Sequence, residues 1–236
     1  MSQDRTDPPV AVIFDIDGVV IDSPHERAWR EALTSAADQA RFTSAFYQAH
    51  VAGKPRLDGA HAILAAFAAS DTPEAYAARK QMGLQRLIAA GAFSAFQDAL
   101  RLLIRLRQAE VPIAAASSSK NANAMLEQIT VPPYGTLRTL FTANLCGQDQ
   151  RRGKPDPAIF LAAAEALDQP PGTSVVVEDA PAGIQAARAG GMAALGVARH
   201  NDAAGLWAAG ANRVVSSLDD IAVAALRTLP STKEPR

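Results

Sequence analysis

Cysteine is almost absent: Cys146 is the one thiol in 236 residues, which excludes an internal disulfide and any metal cage of several thiolates. A reducing compartment suits that usage, and Cys146 is expected to be a small buried hydrophobe. Neither sign of charge dominates, with 23 Lys and Arg against 24 Asp and Glu, so nothing pulls the chain toward nucleic acid or an anionic membrane. Long hydrophobic runs are missing too: no stretch approaches about 18 uninterrupted apolar residues. Met1 to Pro9 is polar and proline-containing, unlike a basic stretch followed by an apolar one. The expectation is a cytoplasmic protein, monomer or weak homodimer, whose partner is a small molecule. There is no internal repeat and no low-complexity segment beyond general alanine richness, which favours helix.

What is present is material for a core, with 48% hydrophobic and 20% charged residues, enough for one main domain plus a smaller module. Val10 to Phe14 is a continuous apolar run ending in Asp15-Ile16-Asp17-Gly18, as a buried parallel strand entering a loop would be. Similar runs recur at Pro112 to Ala116, Val175 to Val177, Ala193 to Val197 and Arg213 to Val215. Most precede a helical pattern, which argues for right-handed βαβ units. From about His25 to Ala92 the strand signal disappears and apolar residues recur at helical spacing. Gly53-Lys54-Pro55-Arg56 reads as a loop there, and Asp71 or Thr72 as a helix cap ahead of Pro73. The predicted architecture is α/β: a Rossmann-like doubly wound parallel sheet (1–24 and 93–236) with a small helical cap (25–92) inserted after the first strand.

In such sheets chemistry gathers at the carboxyl ends of the strands. Asp15 and Asp17 put two carboxylates at the end of the first strand, where a cation compensates their charge, and Mg²⁺ prefers such oxygen ligands. Ser117-Ser118-Ser119-Lys120-Asn121 follows the second run and precedes a helical pattern, so its hydroxyls and N–H groups suit an anion. In Gly153-Lys154-Pro155-Asp156-Pro157, Asp156 and Pro157 read as helix cap and first turn, leaving Lys154 held rigidly before the helix. Glu178 and Asp179 follow the third run, where they complete a metal site opposite Asp15; Asp179 could instead cap the next helix.

Together these motifs resemble the haloacid dehalogenase superfamily, and within it the β-phosphoglucomutase-like subgroup with its sugar-phosphate phosphatases. The resemblance spans about Val10 to Val197. It implies that Asp15 attacks phosphorus to form an aspartyl-phosphate, Asp17 acts as acid and then base, and Ser117 and Lys154 hold the phosphoryl group. It implies Mg²⁺ held by Asp15, the main-chain carbonyl of Asp17 and Asp179, with Glu178 nearby. It further implies that His25, Arg56 and Lys80 of the cap, and Ser118, Ser119, Lys120 and Asn121 of the core, bind a small phosphorylated sugar. The hinge Asp22-Ser23-Pro24 is shorter than in the mutases, which leaves open whether His25 reaches the same place. A sugar hydroxyl as acceptor gives a mutase, the preferred reading; water gives a phosphatase. A catalytically silent binding relative is the remaining alternative, and the intact acids and lysine speak against it.

Overall fold

The computed structural model describes residues 10–67, 69–148, 152–199 and 202–229. The five apolar runs form the strands Ala11–Phe14, Ile113–Ala115, Ser174–Glu178, Ala193–Val197 and Arg213–Val215. A sixth strand, Ala143–Asn144, is too short and too polar to stand out as an apolar run. All six lie in one parallel sheet, in the spatial order Arg213–Val215, Ala193–Val197, Ser174–Glu178, Ala11–Phe14, Ile113–Ala115, Ala143–Asn144. The first strand is therefore central, with Phe14 opposite Ala115 on one side and Val177 on the other. The strand order reverses between Ala11–Phe14 and Ser174–Glu178, and an open α/β sheet forms its crevice beyond the carboxyl ends at such a point.

Alternate residues of the central strand feed different layers. Val12 and Phe14 pack in one cluster with Leu102, Leu103 and Leu106 of the helix Gln97–Gln108. Ala11 and Ile13 join Phe160 of Ala158–Ala166 and Ile184 of Pro181–Ala189 in another. Helices on both faces explain why the strand is wholly apolar.

The chain leaves the sheet through Ile21–Asp22 and returns through Ser94–Ala95, which pair antiparallel. Between them lie the helices His25–Glu31, Ala36–Arg41, Ser44–His50, Arg56–Phe67 and Pro73–Ala89. They share a third apolar cluster that includes Trp29, Phe42, Ile63 and Tyr76, and the Tyr76 hydroxyl donates to the Trp29 carbonyl at 2.6 Å. Thr72 caps the last of these helices, accepting from the Ala75 N–H at 3.2 Å with Pro73 just inside. Two local readings shift. Arg56 is the first residue of a helix, so the loop ends at Pro55. Pro157 occupies the cap position expected of Asp156, whose carboxylate nevertheless accepts from the Ala158 N–H at 3.0 Å. Cys146 is buried and free, and burial pushes its thiol up to about 12. No helix among the described residues is long and apolar enough to cross a membrane.

Candidate active site

Beyond the carboxyl ends of the central strands lies a cavity of about 660 Å³. Every site residue expected from the sequence lines it: Asp15, Asp17, His25, Arg56, Lys80, Ser117 to Asn121, Lys154, Glu178 and Asp179. Asp15 directly follows the first strand, and its N–H donates to the Val177 carbonyl at 3.0 Å, so the sheet itself fixes it.

Lys154 is the hub of the buried charges. Its ammonium donates to Asp15 Oδ1 at 2.5 Å and to Glu178 Oε1 at 2.6 Å, and it stands 4.8 Å from the Phe160 ring centre. Burial works against its charge, but Asp15 and Glu178 outweigh that and raise Lys154 above its ordinary value. For Asp15, burial is the largest influence, opposed by Lys154 and reinforced by Glu178 and Asp17, and it is pushed up to about 7. Burial, followed by the charges of Glu178 and Asp15, pushes Asp179 well above the ordinary carboxylate range.

Glu178 is occupied within the protein. Oε1 accepts from Lys154, and Oε2 accepts the N–H groups of Asp179 and Ala180, each at 2.9 Å. Glu178, expected beside the cation, thus anchors the lysine and the turn next to Asp15 and Asp179. The next helix, Pro181–Ala189, has Ala180 at its cap position and no side-chain cap bond, so Asp179 is not a helix cap. Its carboxylate instead lies over the backbone of Gly18, where a Cβ would stand 2.0 Å from Asp179 Oδ2. Gly18 has φ +87°, and glycine meets both demands.

These acids fit a hard divalent cation. No three His, Cys, Asp or Glu side chains among the described residues are grouped as a metal cage. A set of two side-chain carboxylates, a main-chain carbonyl and water does not require one, and Mg²⁺ commonly keeps several waters. Burial first, and the neighbouring carboxylates after it, raise Asp15 and Asp179, and a bound cation would offset the repulsion between those acids.

Asp17 is held differently. Oδ2 accepts from the Ser117 hydroxyl at 3.0 Å, whereas buried Oδ1 has no hydrogen-bond partner among the described residues. Facing Oδ1 at 3.6 Å is Nε2 of His25, so the short hinge does not keep His25 away. His25 Nδ1 lies 3.1 Å from Lys80 Nζ, and Nε2 lies 3.3 Å from Ser119 Oγ. When Lys80 is protonated its ammonium can only donate, so Nδ1 accepts and Nε2 carries the ring proton, within reach of Ser119 Oγ and facing Asp17 Oδ1. Burial first, then the Lys80 charge, lowers His25 to about 4 against the pull of Asp17. Lys80 is almost fully buried, 4.9 Å from the Trp29 ring centre, and burial lowers it to about 7.

Arg56 is exposed at the cavity and donates to Gln81 Oε1 at 2.9 Å, while Gln81 donates to Asn121 Oδ1 at 3.0 Å. Ser118 and Lys120 are exposed beside them. The lining also includes residues no motif singled out: Tyr47, whose phenol burial and the nearby acids raise, Gln48, and Gln81. Gln81 directly follows Lys80 in the chain, which was the available signal for it.

A family model for haloacid dehalogenase-like hydrolases matches residues 10–191. The chain belongs to that family. This haloacid dehalogenase-like hydrolase is 32% identical over 223 residues to the β-phosphoglucomutase of Bacillus subtilis (strain 168), covering 89% of this chain and 91% of the relative. It is also 32% identical over 192 residues to the fructose-1-phosphate phosphatase of Escherichia coli (strain K12), covering 79% of this chain and 95% of the relative. Among solved structures, the archaeal β-phosphoglucomutase from Pyrococcus sp. strain ST 04 matches with a TM-score of 0.70 at 26% identity, covering 93% of this chain and 98% of that one.

Proposed function

We propose that this enzyme transfers a phosphoryl group on a small sugar phosphate through an aspartyl-phosphate at Asp15, in the manner of a β-phosphoglucomutase. The carrying observation is the approach of His25, backed by Lys80, to the unpartnered oxygen of Asp17. In the first half, Asp15 attacks phosphorus as the ester P–O bond breaks, and Asp17 gives its proton to the departing oxygen. In the second half, the acceptor hydroxyl gives its proton to Asp17, its oxygen attacks the same phosphorus, and the Asp15 carboxylate is released. Lys154 and Ser117 hold the phosphoryl oxygens, and Glu178 keeps Lys154 in place. Asp15, the Asp17 carbonyl and Asp179 would hold Mg²⁺, which when bound offsets the repulsion between carboxylate and phosphate.

Residues 25–92 form the cap in this reading, closing on a core of 1–24 and 93–236; residue 68 of the cap and 1–9, 149–151, 200–201 and 230–236 of the core lie outside the described residues. Arg56, with Ser118, Ser119, Lys120 and Asn121, would grip the non-transferred part of the sugar phosphate, so that closure excludes water when substrate is present. The equal identity to a fructose-1-phosphate phosphatase supports a second reading, in which water is the acceptor. Supplying β-glucose 1-phosphate with catalytic glucose 1,6-bisphosphate separates the two. A mutase yields glucose 6-phosphate faster than free phosphate; stoichiometric release of phosphate would establish the phosphatase.

A further inference from the structure

Lys80 and Gln81 are neighbours on the helix Pro73–Ala89, yet successive residues point about 100° apart around such a helix. Lys80 turns inward to Trp29 and His25, while Gln81 turns to the rim of the cavity and bonds in two directions. Its carbonyl oxygen accepts from Arg56 Nη1 at 2.9 Å, and its amide nitrogen donates to Asn121 Oδ1 at 3.0 Å. Arg56 and Gln81 lie in the helical insert, whereas Asn121 lies in the serine loop beyond the strand Ile113–Ala115. The Asn121 N–H in turn donates to Ser119 Oγ at 3.3 Å, the same hydroxyl that meets His25.

A carboxamide can accept from a guanidinium and donate to another amide at the same time; a carboxylate lacks the donor and an alkyl group lacks both. We propose that Gln81 is a specificity-determining positioning residue. It fixes the Arg56 guanidinium at the cavity and ties it to Asn121, so that capture of a second anionic group on the substrate and docking of the insert on the core become one event. The inference rests on the reading that Arg56 grips the non-transferred part of the substrate. It ranks substrates: one bearing an anionic group remote from the transferred phosphoryl gains from the tie, and a phosphomonoester with only an aromatic leaving group does not.

The test is the ratio of kcat/KM for β-glucose 1-phosphate, with catalytic glucose 1,6-bisphosphate, to kcat/KM for p-nitrophenyl phosphate. It is measured in wild type, Gln81→Leu, Asn121→Ala, the double variant and Arg56→Ala. Losing two partly exposed hydrogen bonds lowers that ratio about tenfold in Gln81→Leu. The double variant falls by less than the product of the two single losses, because both substitutions cut the same tie. Gln81→Glu, which keeps the acceptor for Arg56 and lacks the donor to Asn121, also lowers the ratio and serves if the leucine variant does not fold. If Arg56→Ala lowers the ratio and the Gln81 variants do not, or if the Gln81 and Asn121 losses add in full, the tie is refuted and the Arg56 reading stands. If Arg56→Ala leaves the ratio unchanged, that reading fails and the role of Gln81 falls with it.

Discussion

Nε2 of His25 stands 3.6 Å from Oδ1 of Asp17, the carboxylate oxygen that has no hydrogen-bond partner among the described residues. Asp17 and His25 both line the cavity, so an entering sugar hydroxyl can donate to the Asp17 carboxylate. Asp17→Asn keeps the Ser117 contact and the main-chain carbonyl but removes the group that moves the proton. Turnover of a hexose phosphate should drop by about 10²–10⁴-fold, with Mg²⁺ affinity, read by titration calorimetry, largely retained. Equal loss of metal affinity in Asp17→Asn and Asp15→Asn would contradict this division of labour.

Lys80 makes stability depend on pH. Burial lowers it from 10.5 to about 7 in the folded chain. Between these values the unfolded chain holds a proton that the folded chain gives up, so stability rises with pH through that window. The slope is at most about 1.4 kcal/mol per pH unit. Urea unfolding of wild type and Lys80→Met across the window should therefore diverge, with wild type gaining as pH rises. A constant difference between the two would mean that Lys80 stays charged inside the fold.

Gly183 supports the site from below. A Cβ there would lie 1.8 Å from Glu178 Oε1, and this carboxylate cannot swing aside without releasing Lys154 and two backbone N–H groups. Gly183→Ala should cost about 1–3 kcal/mol of stability and reduce turnover at temperatures where the protein remains folded. Gly205→Ala is the control: its Cβ would meet Pro181 Cγ at 3.6 Å, an ordinary contact. If both variants unfold at the same temperature as wild type, Glu178 is less constrained than its hydrogen bonds indicate.

Beryllium fluoride with Mg²⁺ should inhibit strongly, since it mimics a phosphoryl group beside a carboxylate. Asp179→Ala should abolish that inhibition, and chelation of Mg²⁺ should remove it from wild type. Undiminished inhibition of Asp179→Ala would place the cation elsewhere.

Much of this arrangement was legible because buried parallel strands are continuous apolar runs and the chemistry follows them directly. Asp15, Ser117 and Glu178-Asp179 each come at or just after such a run. Ala143–Asn144 offered no run, and its place at the sheet edge is set by pairing with Ala114 and Ala115. Glu178 and Asp179 are adjacent acids of the same type, and only the positions of Lys154 and the turn's N–H groups separate an anchor from an open carboxylate. The reach of His25 and the tie through Gln81 depend on how the insert's helices sit over the serine loop, across 94 and 40 residues of chain. Local pattern does not encode that distance.

The most direct test of the account is where the phosphoryl group resides between the two half-reactions. Enzyme mixed with a hexose phosphate and Mg²⁺, quenched in acid within one turnover and digested, should carry one phosphoryl group on the peptide that contains Asp15. Asp15→Asn should carry none and should not turn over. A phosphoryl group on Ser117 instead, or an unlabelled Asp15 peptide with Asp15→Asn still active, would contradict the assignment of Asp15 as the nucleophile.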